Sequence, residues 1–271
     1  PQGFFHHKKG GLAILSTHSD NRAIEHLTFS AQFHSRMHKH SDDLSIHYCV
    51  FGKQYLIDSG TYSYQYDAPE RMYIESAKAH NTLTIDGLNY SRFRNDIYGS
   101  SLKLATQIGP YTLMEGFMHH RRLIPSAIPN NKVKTSDSTP VDIKHRRRLF
   151  TVPGKFLVVL DEINSESNHE YTQWFHFDPN LSIEGESESI LRVKDGNKPH
   201  SSIHFIVEES CNFNVKMLRG NKKPELQGWC SKDGMRLVEN TAIGLQTTSN
   251  SSHLLTLFDL TNSAKKPYLK I

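Results

Sequence analysis

The chain has 271 residues, is 37% hydrophobic and 22% charged, and carries a formal charge of +4 with 17 histidines in reserve. That composition is not that of a disordered chain, and no apolar run is long enough for a helical membrane span. The mild positive balance favours an anionic partner, but no helix-turn-helix, zinc finger or aromatic RNA-binding signature accompanies it, so nucleic acid is not expected.

The opening residues Pro1-Gln2-Gly3-Phe4-Phe5 read as mid-protein sequence, without a charged-then-apolar leader, and suggest a fragment or a processed chain. Leu27, Phe29, Ala31 and Phe33 alternate along His26 to Phe33, the period of a half-buried strand. Leu44 to Phe51, a Gly52-Lys53 turn and Gln54 to Asp58 predict a hairpin with Asp58 opposite His47 and near His40. Asp67-Ala68-Pro69-Glu70, with an Asp cap and a Pro in the first turn, predicts the one short helix, over 68–77. Strands are then expected over 81–85, 102–108, 111–118, 146–152, 156–163, 171–178, 203–207, 213–218 and 254–260. The best loop is Pro125 to Pro140, with Asn130-Asn131 inside it. Many short strands with almost no helix predict an all-β fold, a large antiparallel multi-sheet β-sandwich forming one domain over 1–271. Cys49, Cys211 and Cys230 lack CxxC spacing, so no disulfide framework is expected.

Chemistry concentrates in His38-Lys39-His40-Ser41-Asp42-Asp43-Leu44-Ser45, followed by Asp58 and His80. Imidazole nitrogens and a carboxylate are the donors zinc takes in tetrahedral sites, and this set can build a three-ligand site with one imidazole to spare. On a strand, His38 and His40 would share a face, letting one bind metal and the other meet substrate. Asp42 and Asp43 are expected to cap the turn before Leu44 or to accept from the ligand imidazoles, and Asn81 to support His80. The basic runs His119-His120-Arg121-Arg122 and Lys144-His145-Arg146-Arg147-Arg148 read either as anion contacts or as a solvated face with cross-strand ion pairs. On a strand only alternate members share a side.

These stretches together resemble the heparinase II/III-like polysaccharide lyases. The resemblance rests on His38-x-His40-x-Asp42-x-Leu44-Ser45, on Leu56-Ile57-Asp58-Ser59-Gly60-Thr61-Tyr62-Ser63-Tyr64 and on Ala79-His80-Asn81-Thr82-Leu83-Thr84-Ile85-Asp86-Gly87. His145-Arg146-Arg147, Val158 to Ile163 and Trp174-Phe175-His176-Phe177-Asp178-Pro179 extend it. It covers roughly residues 10 to 180, and the remainder by strand pattern only. It implies the C-terminal β-sandwich region of a larger enzyme, whose N-terminal α/α toroid supplies an Asn or His for the uronate carboxylate and a Tyr for acid–base work. It further implies zinc or another divalent metal on His40, Asp58 and His80, with His38 and Tyr66 catalytic. Tyr64, His145 and Arg147 would be substrate-binding residues. The expected function is β-elimination on an anionic, uronate-containing glycan in a periplasmic or secreted setting, with the isolated chain incompetent. Two other readings stay open from the residues: a glycan-binding module with a structural metal, and a cupin-like metal oxygenase. The latter is disfavoured because Asp43, Leu44 and Ser45 stand where the usual Glu would follow the His pair.

Overall fold

The computed structural model describes residues 3–19, 22–35, 38–90, 99–126, 128, 132, 134–207 and 212–261. Cys211 and Asn130-Asn131 lie outside them. The chain folds as an all-β sandwich built on two large antiparallel sheets. One has five strands in the order Gly3–His7, Leu12–Ser19, Arg22–Ser30, Ser45–Val50, Lys53–Leu56. The other has eleven. Its path runs Leu102–Ile108, Tyr111–Ile124, Thr139–Val152, Phe156–His176, Thr241–Asp259, Lys198–Ile206, Ile190–Asp195, Leu181–Ser187, with three further strands pairing alongside. Small two-stranded pieces, Gln32–Phe33 with Gly99–Ser100 and Trp229–Ser231 with Leu237–Glu239, close the edges.

The two sheets meet through apolar inner faces that form one continuous cluster from Ala13 to Leu260. At the tightest point Gly116 lies under Phe29 and Leu44: a Cβ there would stand 2.4 Å from Leu44 Cδ2 and 2.9 Å from Phe29 Cζ. Tyr55 packs edge-on against Phe177 and Phe258 at 5.3 and 5.9 Å between ring centroids, bridging both sheets. A smaller cluster of Tyr73, Ile74, Ala79 and Trp229 seats the helical segment against the late hairpin.

Several elements differ from the sequence expectation for physical reasons. The hairpin turn is Phe51-Gly52, both with positive φ, not Gly52-Lys53. Two left-handed residues match the strand twist, the geometry of a two-residue hairpin turn. A bulge after Tyr48 ends the ladder at Leu56, so Asp58 lies past the strand rather than opposite His47. The helix is Pro69–Ile74, followed by a 3-10 turn over Ala77–Ala79; Ala68, not Asp67, is its cap, with no side-chain hydrogen bond. The strands expected at 156–163 and 171–178 are one, Phe156–His176. Polar Asn164 to Glu170 hides the continuity, because there the strand is bulged and mostly exposed.

A buried polar frame crosses this core. Along Thr139–Val152, Ile143, His145, Arg147 and Leu149 point inward. Arg147 and His145 are 0% and 1% exposed. The expectation that they meet substrate is therefore corrected: they brace the interior. Arg147 faces Asp161 across the ladder and holds it with Nε–Oδ1 at 2.7 Å and Nη2–Oδ2 at 2.6 Å, while Nη1 donates to the carbonyls of Leu44 and Asn81. His145 Nε2 lies 2.8 Å from the same Oδ1, and Gln173 donates to Oδ2. Burial works to raise the Asp161 carboxyl, but the Arg147 charge, then His145, outweigh it and hold it below the usual carboxylate range. The outward members, Arg146 and Arg148, are neutralised by Glu115 and Glu162.

Removing one partner of such a pair leaves an uncompensated buried charge. Asp161→Ala is expected to cost about 3–5 kcal/mol in urea unfolding. A carboxyl depressed in the folded state stabilises above its unfolded value of about 3.9 and loses that contribution as pH falls below it. The stability of Asp161→Asn should therefore fall less steeply with acid than that of the parent; equal slopes below about pH 4 would remove Asp161 from the account.

Candidate functional site

The segment before Leu44 leaves the five-stranded sheet as a loop, and the backbone after Leu56 returns past it. Ile57 N–H donates to the His176 carbonyl and Asp178 N–H to the Tyr55 carbonyl, so this return is stitched to the eleven-stranded sheet. Asn81 completes the seam: its Nδ2 donates to the carbonyls of Ile46 and Ile57, and its Oδ1 accepts from His176 N–H at 2.6 Å. The expected hydrogen bond from Asn81 to His80 is thus replaced by three bonds to backbone, which set the strand ends that carry Asp58 and His80.

His80 is fully buried, and its Nδ1 lies 3.1 Å from Asp58 Oδ2. Asp58 also accepts from Gly60 N–H at 2.8 Å. Partial desolvation works to raise the Asp58 carboxyl, but the charge and hydrogen bond of His80, with the Gly60 N–H, hold it well below the usual range. Burial likewise works to lower His80, and Asp58 reverses the sign. The His40 ring lies 5.3 Å from that of His80 and is pushed down to about 4 by burial and then by the His80 charge. His176, near the pair, is pushed to about 3 by burial; among the described residues neither of its ring nitrogens has a hydrogen-bond partner, nor has Nε2 of His80.

The donor chemistry of His40, Asp58 and His80 fits a divalent ion. When neutral and giving Nδ1–H to Asp58, His80 would keep a lone pair on buried Nε2, which has no hydrogen-bond partner among the described residues. As they stand the three are a hydrogen-bonded pair with an adjacent imidazole: among the described residues no three His, Cys, Asp or Glu side chains are grouped to hold an ion.

In front of this trio opens a cleft of about 510 Å³ lined by His38, His40, Tyr64, Arg71, Glu75 and the 233–235 loop, among others. His38 is exposed and left-handed, with φ of 57°. It lies in a turn, not in the strand expected, so its relation to His40 comes from the turn and not from strand alternation. A histidine in that region is uncommon and carries local strain of the kind found at working sites. Its ring meets Tyr64 edge-on at 6.5 Å. Tyr64 and Tyr66 are both exposed, and both lie over the Arg71 guanidinium, at 5.8 and 4.2 Å. Asp42 and Asp43 turn to Lys39 rather than to the imidazoles, and Asp43 also accepts from the Tyr90 hydroxyl.

Arg71, Glu75 and the 233–235 loop were not singled out in the sequence. The Arg71–Glu75 spacing of i,i+4 was a readable helix pair. The loop gave no local signal, because it reaches the cleft through tertiary pairing alone. Ser231 N–H donates to the Ser59 carbonyl and Ser63 N–H to the Gly234 carbonyl. At Gly60, with φ of 82°, a Cβ would stand 2.0 Å from the Ser231 carbonyl oxygen.

Asn81→Ala is expected to destabilise by on the order of 3 kcal/mol, since it leaves two carbonyls and one N–H buried without partners. Denaturant unfolding measures it, and a loss below about 1 kcal/mol would show that the seam stands without this side chain.

The chain resembles solved polysaccharide lyases. A heparinase III with methylated lysines superposes with a TM-score of 0.73 at 16% identity, over 97% of this chain and 36% of that one. Heparan sulfate lyase HepC of Pedobacter heparinus gives 0.71 at 12%, over 98% and 37%. Another heparinase III gives 0.66 at 15%, over 97% and 38%. At these identities the likeness establishes the fold, and the chain spans little more than a third of each lyase. A search of curated proteins returns no match. The sequence profile of the family described as "Heparinase II/III-like, C-terminal" matches residues 1–243, and the chain belongs to that family.

Proposed function

We propose that this chain is the C-terminal domain of a lyase that cleaves uronate-containing anionic glycans by β-elimination, working with an N-terminal α/α toroid of a longer protein. The observation that carries the reading is the convergence on one cleft of His38, Tyr64 and His40, behind which His80 is tied to Asp58.

Elimination removes the weakly acidic C5 proton of a uronate and expels the 4-linked sugar. The step needs a group to neutralise the carboxylate, a base and an acid. His38 suits the first or second role: it is exposed at the cleft, and imidazole titrates near neutrality. Tyr66 suits proton transfer at the leaving oxygen, and Tyr64 packs the His38 ring toward substrate. The remaining acid–base and carboxylate groups would come from the toroid, so the isolated chain should bind glycan without turning it over. His40, Asp58 and His80 would hold a divalent ion, with zinc the choice for this donor set. When bound, it would supply fixed positive charge that draws the three groups together and steadies the loop carrying His38. A substrate of this kind places the protein outside the cytoplasm, in the periplasm or secreted.

Two measurements test this. Elemental analysis should find stoichiometric zinc, lost in His40→Ala; full retention in that variant would sink the ligand assignment. The full-length protein should release unsaturated uronate products, seen by ultraviolet absorbance. His38→Ala should lower kcat/KM by about 10²–10⁴, and an unchanged rate would remove His38 from the chemistry.

A further inference from the structure

Two arginines of this fold make an instructive contrast. Arg147 uses all three of its nitrogens inside the protein. Arg71 is almost as deeply set, at 8% exposed, yet uses only two. Its Nε donates to Glu75 Oε1 at 2.8 Å and its Nη1 to the Ser63 carbonyl at 2.6 Å. Its Nη2 has no hydrogen bond among the described residues, and the side chain lines the cleft beside His38 and Tyr64.

We propose that Arg71 is an anion subsite of the cleft, taking a carboxylate or sulfate of the glycan through its open Nη2 edge. The inference rests on the reading of this cleft as a glycan site and names a contact that reading does not require. The guanidinium is immobilised before ligand arrives: two nitrogens are anchored, and the faces of Tyr64 and Tyr66 cover it at 5.8 and 4.2 Å. A pre-fixed fork loses little conformational freedom on binding, which suits planar oxyanions. Among the described residues lining the cleft Arg71 is the one Lys or Arg, and its ion pair with Glu75 through Nε leaves Nη2 open. Lys39 is taken by Asp42 and Asp43, and Lys232 by Asp178. Of the acids lining the cleft, Glu75 is engaged by Arg71 itself. Asp233 accepts from the N–H groups of Met235 and Arg236 and pairs with the Arg236 side chain. Tyr64, exposed and lining the same cleft, offers a ring surface for a sugar beside Arg71.

The test is a binding titration of this chain with size-matched oligosaccharides: a sulfated uronate oligomer, its desulfated form, its carboxyl-reduced form, and one with both groups removed. Arg71→Gln should weaken the acidic oligomer by about tenfold or more, the loss of one charge-assisted hydrogen bond, and Arg71→Lys by less. The salt dependence of binding should fall with it. Loss of affinity on carboxyl reduction would assign a carboxylate, and loss on desulfation a sulfate. Parent-like affinity in a folded Arg71→Gln protein would overturn the subsite while leaving the glycan reading intact. Should that variant fail to fold, the parent alone decides: equal affinity for the acidic and the fully neutral oligomer overturns the subsite. If no acidic glycan binds the parent at all, the glycan reading fails, and the subsite with it.

Discussion

A guanidinium sealed from water organises this protein. Arg147 sits at the crossing of the eleven-stranded sheet with the two backbone segments that bear the histidines, and it bonds to a partner on each. The arrangement is expensive, because both charges leave water, and a hydrophobic replacement of equal shape can match it in net stability. What an apolar pair lacks is direction. Five donors in a plane can satisfy Asp161 and two carbonyls only when the Leu44 and Asn81 backbones stand at one distance and angle from the sheet. A cleft assembled from distant loops needs that constraint more than it needs raw stability.

Around this pin the histidines fall into different trades. His80 is buried and committed to Asp58, His176 and His120 are buried with ring nitrogens that have no hydrogen bond among the described residues, and His38 is exposed on a strained turn. Environment rather than residue type sets their chemistry. Burial drives His120 and His176 to about 3, while a carboxylate at hydrogen-bond distance raises His80 against the same burial. His40 and His176, both pushed down by burial, thus stand near an ionised Asp58 that holds His80 the other way.

The fold class was legible because strand period and turn residues speak locally. The proximity of His40, Asp58 and His80 was legible because these residues are few and their motifs lie close in sequence. The roles of His145 and Arg147 were misread although a signal existed: Ile143 and Leu149 share their phase on the strand, so the inward face was marked as apolar at both ends. The charge run masked it. Arg71 was legible only as an i,i+4 pair with Glu75, and the 233–235 loop carried no local signal, since its place depends on backbone bonds between Ser59 and Ser231 and between Ser63 and Gly234, across most of the chain. The merged strand Phe156–His176 was hidden for the opposite reason: its middle is solvent-facing and reads as a loop.

Those late bonds bear on when the cleft comes into being. The turn bearing His38 is made well before one rim of its cavity, which arrives only with residues 233–235, and before the last strand of the large sheet, Thr241–Asp259. Contacts of such long sequence separation form slowly, because loop-closure entropy must be met before packing rewards it. A nascent or truncated chain would therefore display the imidazoles without the pocket. The cavity would take shape in one step with completion of the sandwich, so that the cleft itself reports that the fold is finished.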